Sequence, residues 1–454
     1  MRTITTSIAG MGRSACRVWD WAVERPVLAV VVASAAARLS IALVLNLFDI
    51  WSFAPDASQY LYIAEANVQG HLEESWQGYG ASLYEATVPF SGQLSFLFEL
   101  FGPYRLLGQL LAGFYGVLTA GLTAYLALRL LRPAFALLAG MIVAFLPSQI
   151  IFSSVALRES LVWALLAAAA VICSRLGPRV GRSSMVIGVA GLAVLFYLLA
   201  SLRIQTAVIA LWCMTLALVA ARGHRRLRCG SAAVLFLVVP LLVGHSPGCM
   251  EFMAGSVSRL GMVRTYMAMD AESAIAEVEP LIVGSGATDG GDADAAPLPT
   301  VEGDHALIFD RVEYVDPFEQ TFVLDGEGRA VVVHNELSAS LSAFPSGLLA
   351  VTIRPGPWEA GTSGKRPAGG FESIIWLSLF VFAGVGAWVR RRESHLVALP
   401  ASLVISLTLA AAVTQGNLGT AFRHRGQILF ALSILAVAGL QAGIDHRQRG
   451  DDPT

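Results

Sequence analysis

Charged residues are scarce in this chain. Only 14% of its 454 residues are Asp, Glu, Lys or Arg, whereas 55% are hydrophobic and the mean hydropathy is +0.63. Soluble domains carry about 25% charged residues. The composition therefore excludes an ordinary soluble protein and predicts an α-helical polytopic membrane protein.

Lysine and cysteine are also scarce. Lysine occurs once among the 31 basic residues, so the use of Arg at any one position carries less information than usual. Four of the five cysteines fall in predicted spans or on the cytoplasmic side, which leaves Cys249 alone outside and excludes a disulfide framework. No Cys/His spacing indicates zinc, and no glycine-rich nucleotide loop is present.

Apolar runs, in contrast, are abundant. A membrane-spanning helix needs roughly 20 mostly apolar residues. We predict about ten spans, at 27–48, 105–126, 134–152, 159–176, 185–201, 205–220, 230–245, 372–389, 396–413 and 427–442. The first is too long, and lacks the small-residue cleavage site, to be a signal peptide.

The basic residues are distributed unevenly between the two sides of these spans. Residues 49–103 contain no Lys or Arg and seven acids, whereas 18 of the 31 basic residues lie in segments on the opposite side. The positive-inside rule therefore places both termini in the cytoplasm. The predicted regions are a cytoplasmic N-terminus (1–26), spans 1–7 (27–245, with the outer loop 49–104), an outer region (246–371), spans 8–10 (372–442) and a cytoplasmic tail (443–454).

The outer region 246–371 is heterogeneous in sequence. Residues 248–269 predict an amphipathic helix on the membrane surface, and the Gly/Asp/Ala-rich residues 283–304 predict a flexible linker. Two or three short strands with a turn at 325–328 follow. Residues 344–359, interrupted by three prolines, predict an interfacial or re-entrant element.

Polar residues recur in the outward turns between the spans. The first loop contains Asp56, Tyr60, Tyr62 and Glu65; later turns contain Arg158, Glu159, Arg203, Gln205, Gln415, Asn417, Arg423, His424 and Arg425. Three separate turns thus bring arginines to the side that the charge asymmetry should leave without them. A bound anion is one reason for such a placement.

This set of residue types suits a phosphate-linked substrate. Guanidinium groups bind phosphate oxygens bidentately, so we predict that Arg158, Arg203, Arg423, His424 and Arg425 hold a donor phosphate. Asp56 can act as general base towards a hydroxyl acceptor. Tyr60, Gln205, Gln415 and Asn417 are predicted to contact substrate. Displacement at a sugar anomeric carbon fits these parts.

Simpler interpretations remain open for several residues. Asp56 and Gln59 form a capping box for a helix over 57–67, and Arg203 can be an interfacial residue that extends towards the lipid head groups. Arg158 and Glu159 can pair with other groups or with lipid at a helix start. Arg38 lies in mid-span, where a charge costs about 2.5–3.5 kcal/mol, so we expect it to face the bundle interior and to have a partner.

Three segments of the chain resemble the GT-C glycosyltransferase superfamily. They are "DASQYLYIA" in the first outer loop, "LPSQIIFSSVALRES" around the start of the fourth span, and "GNLGTAFRHR" before the last span. Their order and common side are similar to bacterial members of the protein-mannosyltransferase-like and aminoarabinose-transferase-like group. Two departures are the lack of a second acid beside Asp56 and the position of the polar region 246–371 in mid-chain.

The resemblance implies an inverting transferase of the bacterial cytoplasmic (inner) membrane that uses a polyprenyl-phosphate-linked sugar at the outer face. It implies that Asp56 is the catalytic acid of the first loop and that Glu159, the acid opening span four, is a second catalytic carboxylate. It assigns residues 423–425 to the lipid phosphate. An O-antigen polymerase or ligase, which transfers an oligosaccharide, shares this plan and remains an alternative.

Two other functional classes compete with a transferase. A transporter or flippase for an amphipathic anion would need polar groups along a path through mid-membrane, and a scaffold for envelope assembly would need no chemistry. No cofactor is certain, although Asp56 and Glu159 can share a divalent cation if they lie close together. The acceptor can be a glycan, a lipid or a protein, and nothing indicates nucleic acid.

Overall fold

A computed structural model describes residues 17–48, 56–70, 87–176, 181–220, 322–324, 330–332, 344–354, 365–414 and 418–450. Nearly all of them are helical. The helices are α1 (Pro26–Leu47), α2 (Asp56–Gln69), α3 (Val88–Phe101), α4 (Arg105–Ala127), α5 (Pro133–Phe145), α6 (Pro147–Phe152), α7 (Glu159–Arg175), α8 (Arg182–Ala220), α9 (Phe344–Thr352), α10 (Lys365–Val389), α11 (Ser394–Thr414) and α12 (Leu418–Gly450). The predicted helical fold class is confirmed.

Five helical segments in the described part of the chain are long and apolar enough to cross a membrane. They are Pro26–Leu47, Arg105–Ala127, Arg182–Arg203, Gly370–Val389 and Arg423–Gln448. Pro133–Phe145, Gln205–Leu218 and Leu396–Ala412 are shorter apolar helices. The predicted span 230–245, the amphipathic helix 248–269 and the linker 283–304 lie outside the described residues.

Two short strands occur where the sequence predicts two or three strands. Strand β1 (Phe322–Leu324) pairs antiparallel with β2 (Ala330–Val332), with Phe322 opposite Val332. The residues between them include the predicted turn at 325–328. Helix α9, which falls in the predicted interfacial or re-entrant segment, packs against α11 and α12.

Helix α12 is the central element of the bundle. It contacts α4, α5, α7, α10 and α11. In its apolar part, within Arg423–Gln448, 78% of the residues are buried. Helices α1, α4 and α5 pack against one another, and α7 lies between α4 and α8. Large apolar side chains such as Leu47, Val381 and Trp388 point outwards, as expected for a surface in contact with lipid rather than water.

Glycines let neighbouring helices approach closely in this bundle. A Cβ on Gly386 of α10 or Gly439 of α12 would strike the backbone of the other helix. A Cβ on Gly116 of α4 would collide with Arg38 and Ser153. Close backbone approach of this kind is typical of helix packing in membranes.

Helix α8 reverses direction at Arg203, where the backbone is extended (φ −153°, ψ 88°). Gly188, before the reversal, lies against Leu176. The Met214 carbonyl, after it, lies 4.0 Å from Cys173 Sγ. Both arms therefore run along α7, and Arg203 lies at the tip of a helical hairpin. The tip falls inside the turn "SLRIQ" (201–205) that the sequence predicts.

The chain breaks between α5 and α6 because Pro147 has no N–H to continue the helix. Ser148 N–H donates instead to Glu372 Oε2 at 2.9 Å, and Ser148 Oγ donates to Glu372 Oε1 at 2.5 Å. The carbonyls of Val143 and Ala144 consequently lack their usual helical donors. Glu372 itself is buried and also accepts from Trp376 Nε1 at 2.9 Å.

Arg38 supplies the donors that these two carbonyls lack. Its Nη1 donates to Ala144 O at 3.1 Å and its Nη2 to Val143 O at 3.5 Å. Nη1 also donates to Ser34 Oγ at 2.5 Å, and Nε donates to Ser153 Oγ at 2.8 Å. Arg38 is only 3% exposed. The mid-span arginine therefore faces the bundle interior as predicted, and these bonds cap a broken helix.

Candidate functional site

Five of the predicted site residues meet at one end of the bundle. Arg158 and Glu159 begin α7, Arg203 is the tip of the α8 hairpin, and Arg423 and His424 lie in the first turns of α12. We call these five residues the arginine cluster. Three helices that are distant in sequence thus bring their polar ends to a common point.

The arginine cluster is organised around Arg203. Its Nη2 donates to Glu159 Oε1 at 2.7 Å, and its Nη1 lies 2.7 Å from His424 Nε2. A guanidinium group cannot accept a hydrogen bond. His424 must therefore accept at Nε2 and carry its proton on Nδ1, which makes it neutral in this arrangement.

Glu159 is the acid of the arginine cluster, and it is 3% exposed. Its carboxylate interacts electrostatically with Arg203, Arg423 and Arg158. One carboxylate thus faces three guanidinium groups, and the neutral His424 adds no charge. The five residues together carry excess positive charge in a buried setting, where attraction to an anion is stronger than in water.

Helix α2 reaches the arginine cluster through Tyr60. Tyr60 is buried, packs edge-on against Phe90 at 5.6 Å between ring centroids, and interacts electrostatically with Arg203. Asp56 is the first residue of α2, one helical turn before Tyr60. The side chain of Asp56 lies outside the described residues, so its predicted contact with the arginines stays a prediction.

Arg425, unlike the five residues of the arginine cluster, is directed towards α9. Arg425 is fully buried, and its Nε donates to Val351 O at 2.5 Å while its Nη2 donates to Arg354 O. Val351 is in the last turn of α9 and Arg354 lies two residues beyond its end, so Arg425 caps that helix. The Arg425 guanidinium group also lies over the Trp376 ring. Gln205 follows the hairpin tip and is exposed. Gln415 and Asn417 lie outside the described residues.

Two buried polar residues beside the arginine cluster were missed in the sequence. Gln149 of α6 is 1% exposed, and Trp163, one turn after Glu159, is fully buried. Both lie against Gly426: a Cβ there would be 2.7 Å from Gln149 Nε2 and would collide with the Trp163 ring. A glutamine directly after "LPS" in an otherwise apolar run was the only sequence signal for this neighbourhood.

A metal site finds no support in the part of the chain that the structure describes. No group of three or more His, Cys, Asp or Glu side chains there could hold an ion. The shared cation that the sequence suggested would need Asp56, whose side chain is outside that part. Comparison with models of protein families, with curated proteins and with solved structures finds no match to this chain.

Proposed function

We propose that this protein is a membrane glycosyltransferase of the GT-C type. It moves a sugar from a polyprenyl-phosphate-linked donor to a hydroxyl acceptor at the outer face of a bacterial cytoplasmic membrane, with inversion. The observation that carries this proposal is the convergence of Arg158, Arg203 and Arg423 on one point, with Tyr60 of the first outer loop beside them.

The arginine cluster supplies what a lipid phosphate needs. A phosphate diester that leaves an anomeric carbon gains charge on its oxygens, and preorganised guanidinium groups stabilise that charge. The cluster lies at helix ends and not in mid-helix. This position favours a reaction with a head group at one membrane surface over a transport path through the bilayer.

In the proposed reaction, Asp56 acts on the acceptor and the arginine cluster acts on the donor phosphate. Asp56 takes the proton from the acceptor hydroxyl, and the acceptor oxygen attacks the anomeric carbon from the face opposite the phosphate. The bond between the anomeric carbon and the phosphate oxygen breaks, and the phosphate leaves with its negative charge against the arginines. Attack from the opposite face inverts the configuration at that carbon.

Glu159 takes a positioning role in this scheme. Its Oε1 is already in an ion pair with Arg203 at 2.7 Å, and Arg203 also contacts His424. Two fixed contacts on one guanidinium group restrict its rotamers before the donor arrives, which reduces the entropy lost on binding. Asp56 therefore remains the candidate base, and Glu159 orients the arginine that binds phosphate.

The test is donor use by variants of purified full-length protein in lipid vesicles. Arg203→Gln and Arg423→Gln each remove a charge-assisted hydrogen-bonding group worth about 1.5–3 kcal/mol, so we expect donor KM to rise about tenfold or more. A panel of polyprenyl phosphates carrying hexoses or pentoses provides the donors.

Arg132 is the matched control because its ion pair with Asp445 (2.5 Å) is away from the arginine cluster. We expect Arg132→Gln to leave donor KM within twofold of wild type. Equal losses in all three variants, or no transfer from any donor by wild type, would contradict the proposed function.

A further inference from the structure

Several buried polar atoms next to the arginine cluster have no hydrogen-bond partner among the described residues. They are Gln149 Nε2, Gln149 Oε1, Trp163 Nε1, Glu159 Oε2 and Arg203 Nε. Gln149, Trp163 and Glu159 are each at most 3% exposed. Unlike the Arg38 nitrogens, these atoms are not paired with hydroxyls or carbonyls of neighbouring helices.

Unpaired buried polar atoms are unfavourable, so a group of them in one place needs a reason. Each costs about 1–3 kcal/mol relative to a satisfied one, and most such atoms in proteins are satisfied. Trp163 follows Glu159 by one turn of α7, and both Trp163 and Gln149 face Gly426, two residues after His424. The unpaired atoms of Gln149 and Trp163 therefore lie on the side of the cluster formed by α6, α7 and α12.

The pattern of donors and acceptors indicates what could satisfy them. The Gln149 amide both donates and accepts, the Trp163 indole only donates, and the free carboxylate oxygen of Glu159 only accepts. A phosphate has no donor for the carboxylate, and an apolar chain satisfies none of the atoms. Hydroxyl groups donate and accept at once, so neighbouring hydroxyls on a sugar ring match the set.

We propose that Gln149, Trp163 and Glu159 form a subsite that binds hydroxyl groups of the donor sugar. The inference rests on the proposed function, because the arginine cluster beside it would hold the phosphate of the same molecule. It assigns the sugar ring to the α6–α7 side of the phosphate and makes Gln149 and Trp163 specificity residues. Glu159 then serves two partners, with one carboxylate oxygen on Arg203 and the other on a hydroxyl.

Soluble probes of two kinds separate sugar recognition from phosphate recognition. Farnesyl phosphate carries the isoprenoid and the phosphate, and farnesyl phosphates bearing a hexose or a pentose add the sugar. Binding of each probe to full-length protein in detergent is measured by thermophoresis, and unfolding of the ligand-free protein by a thermal scan. We expect wild type to bind at least one sugar-bearing probe about tenfold more tightly than farnesyl phosphate.

Gln149→Met removes the amide and keeps the side-chain length. We expect this variant to bind sugar-bearing probes and farnesyl phosphate with equal affinity, while its Tm rises because an unsatisfied buried amide is gone. Trp163→Phe tests the indole N–H in the same way and should lower the affinity ratio by about threefold or more. Thr408→Val is the control, because it removes another buried unpaired oxygen and should raise Tm without changing the ratio.

The outcomes distinguish this inference from the proposed function. A raised Tm with an unchanged affinity ratio in Gln149→Met would overturn the subsite and leave the phosphate site intact. Equal binding of all probes by wild type would do the same. Failure of wild type to bind any probe, or no effect of Arg203→Gln on farnesyl phosphate, would overturn the proposed function and the subsite with it.

Discussion

Arg38 and Arg203 are both largely buried arginines in apolar helices, but their surroundings differ. Every nitrogen of the Arg38 guanidinium group donates to a hydroxyl or a backbone carbonyl of its own bundle. Arg203 instead contacts a carboxylate and an imidazole, has an unpaired Nε, and lies near two further arginines. The first site is satisfied by the fold, whereas the second has capacity left for a ligand.

This difference helps to decide whether an ionisable residue in a membrane helix has a functional or a structural role. Such residues are functional candidates by default, and Arg38 in mid-span would rank above Arg203 on that criterion. The hydrogen-bond inventory reverses the ranking, because Arg38 compensates for the missing N–H of Pro147. Unsatisfied capacity, and not depth in the membrane, distinguishes the candidate site.

We expect the largest loss of activity from a substitution in the proposed site around the arginine cluster, at Asp56. Asp56→Asn removes the proposed base while keeping a residue of similar size that suits a helix start. We expect transfer to fall by about 10²–10⁴-fold with normal amounts of protein in the membrane. Turnover is measured with the donor that wild type uses, and near-wild-type turnover in this variant would contradict the assignment of the base.

Arg38→Met removes the hydrogen bonds of the arginine that the fold itself satisfies. The Val143 and Ala144 carbonyls lose their donors, so we expect a loss of about 1–3 kcal/mol in stability, seen as a lower Tm in detergent. Activity per folded molecule should stay close to wild type. Ser34→Ala, which removes one acceptor of Arg38, should lower the Tm by less. A loss of turnover per folded molecule in Arg38→Met would contradict the purely structural role of Arg38.

Glu159→Gln tests whether the arginine cluster binds an anion, because it removes the carboxylate that faces the three arginines. The ligand-free variant should be less stable, because the guanidinium groups then repel one another without compensation. Farnesyl phosphate should raise the Tm of this variant by more than it raises that of wild type, since an anion replaces the lost charge. An equal or smaller rise would argue against an anion site.

Arg425→Gln should have the smallest effect on donor use. Arg425 donates to carbonyls at the end of α9, so we expect donor KM to change by less than threefold. Trypsin cleavage at the exposed Arg354 should become faster as α9 loosens. A loss of donor affinity as large as that of Arg423→Gln would return Arg425 to the phosphate site that the sequence predicted.

Much of the fold was accessible from the sequence because hydropathy and helix breakers are local signals. Apolar runs located the helices that include Pro26–Leu47 and Arg105–Ala127, and the polar interruption at 201–205 located the hairpin tip. The same reasoning grouped Arg158, Glu159, Arg203, Arg423 and His424, because alternate turns between successive membrane-spanning helices lie on the same side.

Side-chain direction was not accessible in the same way. Arg423 and Arg425 are two residues apart, and a helix turns by about 200° over that distance, so one reaches the arginine cluster and the other reaches α9. The bonds from Arg38 depend on a break in α5 more than 100 positions away. The neighbourhood of Gln149 depends on the close packing of three helices at Gly426, which no periodicity in the sequence indicates.

The Pro147 break also constrains how the protein is made. Ser148 and the Glu372 that accepts its N–H are 224 positions apart, so synthesis delivers the donor to the bilayer long before its acceptor exists. Until Glu372 is synthesised, the Ser148 N–H in the N-terminal part of the bundle has no acceptor, and such an unpaired backbone group is unfavourable in hydrocarbon. Insertion of α10 completes the earlier half, so a chain truncated before α10 should be a substrate for membrane quality-control proteases.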